Sequence, residues 1–192
     1  MSLVTYKGIK FDYLNPTPEM IDIDDIVQSL TRINRFVGHS KRAYSVAEHS
    51  IYCYEMAKKI GYSNRECLLT LIHDFTEAYV GDCPAPLKEL LPKFSSIESK
   101  VEEAICKHIG IEPPTSEEHE KIKRIDLTML LIEMRDLTKH SEEFFLKDTI
   151  YSEFLSDEDF FLSFKDISVC FHLDKVLKKY YMETLEKVKK EG

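Results

Sequence analysis

The chain has 192 residues, 43% apolar and 31% charged, with a formal net charge of -8. That length suits one domain with a sizeable core. The composition excludes a disordered chain, the lack of any run of 18 apolar residues excludes a membrane span, and the acidic balance argues against nucleic acid polymers, whose binding needs a basic face.

The N-terminus, Met-Ser-Leu-Val-Thr-Tyr-Lys, lacks the hydrophobic core of a signal peptide, so the cytoplasm is the expected location. Five cysteines (Cys53, Cys67, Cys83, Cys106, Cys170) form no C-x-x-C pair and read as small buried thiols.

Val4 to Phe11 predicts a short hairpin around Lys7-Gly8. Asn15-Pro16-Thr17-Pro18 then breaks the chain, and Asp22 or Asp24 can cap a helix carrying Ile26, Leu30 and Ile33 and ending near Arg35. After a loop at Gly38, Ser45 with Glu48 has capping-box spacing, and the next helix sets Val46, His49, Cys53, Ala57 and Ile60 on one inward face. Ser63 caps a third helix predicted to run through Leu71 to His73, Asp74 and Glu77 and on towards Tyr79.

Gly81-Asp82-Cys83-Pro84-Ala85-Pro86 stops that helix, and Leu87 to Leu91 allows one short turn. Ser95 or Ser96 opens an amphipathic helix closed by Gly110; after Pro113-Pro114, Thr115 or Ser116 caps a long one through Ile122, Asp126 and Glu133 to Leu137. The Phe- and acid-rich piece from Phe144 to Phe164 is the least periodic and reads as packing or a subunit contact, which leaves a homo-oligomer open. A last helix is expected from about Ile167 to Val188.

Two histidines and two carboxylates stand out. His73 and Asp74 are adjacent at the end of an apolar helical stretch, His49 lies 24 residues earlier and Asp126 lies 52 residues after Asp74. Such a mixed N/O set suits a divalent ion such as Mn, Fe, Co or Ni, or Mg at lower affinity, which polarises a phosphoryl oxygen and lowers the pKa of bound water. Taken singly, His49 reads as a hydrogen-bonded core histidine, Asp126 as a surface partner of Arg124 or Lys123, and the dyad as a simple buried pair. Arg32, Arg35, Lys41 and Arg42 crowd into eleven residues and read either as a solvated loop or as a phosphate site.

The strings Ile-Asn-Arg-Phe (33–36), Ser-Val-Ala-Glu-His-Ser (45–50), His-Asp-Phe-Thr-Glu-Ala (73–78) and Gly-Asp-Cys-Pro-Ala-Pro-Leu-Lys (81–88) carry a resemblance. The chain resembles the HD-domain metal-dependent phosphohydrolases, in the branch of bacterial 5'-deoxynucleotidases and phage deoxynucleoside triphosphate hydrolases, and is similar to the phosphohydrolase of oxetanocin (antibiotic) biosynthesis. The resemblance implies an all-α HD-type helical bundle with a small N-terminal β-hairpin, a single domain over 1–192 with hairpin and loop at 1–20 and a C-terminal extension at 140–192.

It also implies one divalent metal (Co, Mn, Fe or Mg) on His49, His73, Asp74 and Asp126. Arg35 would hold a substrate phosphate through its bidentate fork, Glu77 would orient the attacking water or relay protons with Asp82 beside it, and His39 and Lys88 would reach outer phosphates. The expected partner is a small-molecule nucleotide, adenine-type and including triphosphates, with no nucleic acid polymer and no membrane. The rival readings are a cyclic-nucleotide or alarmone hydrolase and a nucleotide sensor without turnover.

Overall fold

The computed structural model describes residues 2–139 and 172–191. Strands β1 (Leu3–Val4) and β2 (Lys10–Phe11) pair antiparallel, Leu3 opposite Phe11, around a turn in which Gly8 takes φ 82°. The hairpin is docked rather than loose. Phe11 is fully buried and stacks on Tyr79 at 4.2 Å between ring centroids, and the Lys7 backbone N–H donates to Asp25 Oδ1 at 2.8 Å.

The rest of the described chain is helical. Helix α1 (Ile23–Leu30) starts where Asp22 accepts hydrogen bonds from the N–H groups of Asp24 and Asp25. Helix α2 (Val46–Lys59) opens on a complete capping box between Ser45 and Glu48, and α3 (Asn64–Ile72) on another between Ser63 and Glu66. The short helices α4 (Glu77–Val80) and α5 (Ala85–Lys88) follow. Helix α6 (Phe94–Ile109) ends at Gly110 in the left-handed region, and α7 (Ser116–Leu137) begins on a Thr115–Glu118 capping box. Helix α8 (Leu173–Glu191) packs across α2 and α3, burying Leu177 and Tyr181 and joining Tyr54 to Thr184 by a 2.8 Å hydrogen bond. Among the described residues no helix is long and apolar enough to cross a membrane.

Four expectations need correcting, the first being that Ser95 or Ser96 opens α6: the helix already starts at Phe94, after Lys93, with no side-chain cap. The third helix stops at Ile72 instead of continuing to Tyr79, because the following N–H groups of Phe75, Glu77 and Ala78 bond three residues back, to Ile72, Asp74 and Phe75, which tightens the chain into turns. The first helix ends at Leu30, short of Arg35, which instead begins a 3-10 turn, Arg35–Gly38. Ile60, assigned to the inward face of α2, is 38% exposed at the helix end. The stretch 144–164, His140, Cys170 and the start expected for the last helix at 167–171 lie outside the described residues. Cys53, Cys67 and Cys106 are buried free thiols as expected, and Cys83 is half-buried.

Candidate metal centre

Four side chains from three segments meet between α2, the end of α3 and α7. His49 is fully buried on α2, and its Nδ1–H donates to Glu133 Oε1 at 2.6 Å. His73 caps the C-terminus of α3, with Nδ1–H donating to its own helix at Thr70 O, 2.7 Å away. Each ring spends one nitrogen on a support, which leaves each Nε2 facing the centre, the two 3.3 Å apart.

Asp74 Oδ2 lies 3.4 Å from His49 Nε2 and 3.3 Å from His73 Nε2; Asp126 Oδ1 lies 3.1 Å and 3.9 Å from the same two atoms. Neighbouring ligands around one ion with bonds of about 2.0–2.2 Å stand at such separations. Asp126 therefore turns inward, away from the surface pairing with Arg124 or Lys123.

The charges around this point are strongly coupled. Burial disfavours a charge on both imidazoles, and Arg35 adds to this for His49. The neighbouring acidic groups outweigh both effects, and His49 is held well above the ordinary histidine range through Cys53, then Glu133 and Asp126, His73 above it through Asp74 and Asp126. Burial also opposes ionisation of Asp126, yet hydrogen bonds from the two histidines hold it well below the usual carboxylate range. In this state protons on the rings balance the acids, and a divalent ion on the Nε2 atoms would take their place.

Glu77, one turn past the dyad, is buried with no partner at Oε2; burial, then Asp74 and Asp82, push it up to about 10. Asp82 is raised too, first by burial. Gly81 between them takes φ 80°, ψ 161°, a conformation open to glycine alone, and Asp82 after it lies near enough for Arg35 and Asp74 to act on its carboxyl.

Arg35 is pinned by its backbone. Its N–H donates to Tyr44 O at 2.9 Å and the Val46 N–H to Ile33 O at 3.0 Å, which lays residues 33–35 beside the start of α2. Phe36 and Val37 then turn through left-handed conformations, φ 58° and 52°, costly for a β-branched residue. The Arg35 fork is partly committed: Nε donates to Glu133 Oε2 at 3.1 Å and Nη1 to Asp74 Oδ2 at 3.4 Å, leaving Nη2. The other three cations of that cluster bond elsewhere, Arg32 to Gln28 O, Lys41 to Asp136 O and Arg42 to Glu48.

A cavity of about 410 Å³ opens from the centre, with His73, Asp74, Glu77, Lys88 and Asp126 on one side and Ser95, Glu98, Ser99 and Glu102 of α6 on the other. Lys88 reaches it already paired with Glu98 at 2.8 Å. His39 does not join this group: it is exposed and lines a separate cleft with Phe36, Lys41 and Leu137. Phe75 and Tyr79, close to the dyad in sequence, are buried core residues.

Cys53 borders the centre, its sulfur within 4.8 Å of ring nitrogens of both His49 and His73. Sγ is 3.4 Å from His49 Nε2 but only 3.9 Å from Nδ1, so it stands beside the ring rather than ahead of the free nitrogen; burial pushes its thiol up to about 11. The residue that sequence reasoning passed over is Glu133. In the sequence it is one position of a helical stripe, and the signal for it is a charge on an otherwise apolar inner face.

Fold and site together define a helical protein built round a candidate metal centre. No family model matches the chain. It is 39% identical over 133 residues to the uncharacterized protein YfdR of Escherichia coli (strain K12), covering 69% of this chain and 70% of YfdR, and it belongs to the same family as that protein. An uncharacterized protein of Rhodobacter capsulatus is 33% identical over 109 residues, 54% of this chain and 56% of that one. Among solved structures, the cyanophage S-2L HD phosphohydrolase DatZ, bound to dA and one catalytic Zn2+ ion, aligns with a TM-score of 0.47 at 18% identity, over 84% of this chain and 95% of that one. A likeness that loose carries no argument here.

Proposed function

We propose that this protein is an HD-type, metal-dependent phosphohydrolase acting on nucleotides or deoxynucleotides in the cytoplasm. The observation that carries the reading is the convergence of two imidazole Nε2 atoms and two carboxylates, with inter-atomic separations of 3.1–3.9 Å, at the mouth of a cavity. His49, His73, Asp74 and Asp126 fit a divalent ion: both rings have their other nitrogen satisfied, and the donor set is the mixed N/O kind that first-row ions accept. When bound, such an ion supplies Lewis acidity, polarising a phosphoryl oxygen and lowering the pKa of water.

The chain's own residues do the rest. Arg35 Nη2 takes a phosphoryl oxygen, with Nε and Nη1 holding the guanidinium still. Hydrolysis breaks the P–O bond as water adds to phosphorus, and one proton must travel from that water to the departing oxygen. Glu77 and Asp82 beside it hold and pass that proton. The cavity volume accommodates a nucleoside, and the resemblance points to an adenine-type deoxynucleotide, triphosphates included. Residues 1–192 form one such domain, with 140–192 as an extension.

A phosphate-release panel tests this, using nucleoside mono-, di- and triphosphates and cyclic nucleotides with Zn2+, Mn2+, Co2+ and Mg2+, beside a chelator and Asp74→Ala. Turnover of non-cyclic nucleotides that vanishes in both controls is expected. Turnover unchanged by Asp74→Ala rejects the reading, and binding without turnover makes the protein a sensor.

A further inference from the structure

Glu133 lies seven residues after Asp126 on α7, two helical turns along the same face, among Ile125, Met129 and Ile132. Its side chain is fully buried. A carboxylate there costs several kcal/mol unless it is paired, and nothing in the surrounding apolar packing requires one.

It is fully paired, and the partners are informative. Oε1 accepts from His49 Nδ1 at 2.6 Å and from the Tyr44 hydroxyl at 2.9 Å, and Oε2 accepts from Arg35 Nε at 3.1 Å. Three donors, from the 33–35 segment, from Tyr44 just ahead of the α2 cap and from α2 itself, thus converge on one group of α7. Two of them belong to the residues assigned to metal and phosphate. The His49 contact fixes which ring nitrogen carries the proton, turns the free Nε2 towards Asp74 and Asp126, and makes it a better donor. The Arg35 contact fixes the guanidinium so that Nη1 meets Asp74 and Nη2 stays free.

We propose that Glu133 is the positioning residue of this site, one buried carboxylate that orients the metal-ligating imidazole of His49 and the phosphate-binding guanidinium of Arg35 together. The proposal rests on the phosphohydrolase reading. Glutamine has nearly the same shape but cannot replace it. If the amide oxygen serves His49 and Tyr44, the amide NH2 faces the Arg35 Nε–H, donor against donor; if it serves Arg35, the NH2 faces the other two.

The test compares metal-free wild type and Glu133→Gln, each full length. Zn2+ affinity is measured by calorimetry, inorganic phosphate affinity on the Zn2+-loaded proteins, and thermal midpoints record stability separately. In Glu133→Gln the Zn2+ Kd is expected to rise about 10–100-fold, and phosphate binding to weaken as well. A purely structural Glu133 would lower the midpoint and leave both affinities of the folded protein within about twofold, which overturns the proposal.

If the variant does not fold, ¹⁵N-histidine NMR of Zn2+-loaded wild type decides. A far-downfield proton on His49 Nδ1 is expected, and a His49 ring protonated at Nε2 sinks the proposal. Wild type that binds no divalent ion rejects the phosphohydrolase reading itself, and this proposal with it.

Discussion

Replacing Arg35 by methionine removes a guanidinium that is 11% exposed in its side chain and bonded to two carboxylates, one of which, Glu133, is completely buried. Methionine matches the length of the stem but leaves Glu133 facing only His49 and Tyr44. Breaking a buried pair by deleting one partner costs about 3–5 kcal/mol, because the other charge stays buried. For a chain of this size each kcal/mol moves the thermal midpoint by about 2–4 °C, so Arg35→Met should melt about 6–20 °C below wild type.

Circular dichroism melts of metal-free protein measure this, with Arg35→Lys as the variant that keeps the charge and loses the fork. In turnover, loss of one charge-assisted hydrogen bond to phosphate, about 1.5–3 kcal/mol, should lower kcat/KM about 10–150-fold at temperatures where the variant is folded. A midpoint within about 2 °C of wild type would refute the claim that Arg35 and Glu133 form a closed buried pair. Unchanged kcat/KM would refute the claim that Arg35 touches substrate.

Glu77→Gln should abolish turnover while stabilising metal-free protein. Between the ordinary glutamate value and about 10 the unfolded chain releases this proton and the folded chain keeps it, so Glu77 weakens folding progressively as pH rises, and the gain in melting temperature should be larger at pH 8 than at pH 5. Gly81→Ala meets no atom within 4 Å, so its cost is backbone strain alone, about 1–3 kcal/mol by thermal melts, and kcat should fall as Asp82 moves off.

The helices were legible where their ends carry chemistry. Ser45, Ser63, Thr115 and Asp22 all cap as their spacing implies, and Gly110 closes α6 in the left-handed conformation. The inward face of α2 placed His49 before any contact was known, whereas Asp126 read alone as a surface residue and was tied to the site only through the family resemblance. The break after Ile72 was hidden because its turn residues, His73 to Thr76, include neither Gly nor Pro, and its i→i+3 bonding serves the site rather than local preference. Phe36 and Val37 in left-handed conformations were hidden for the same reason, since neither residue type favours them. Glu133 was unreadable as a support because its three donors lie 84 to 98 residues away. Only the folded chain makes them neighbours.

The central claim is that one divalent ion is held by His49, His73, Asp74 and Asp126. Anomalous diffraction from Mn2+- or Zn2+-loaded crystals tests it most directly. A single strong peak bounded by those four side chains, lost in Asp126→Ala, is the predicted result. A peak elsewhere, or none in crystals of active protein, contradicts it.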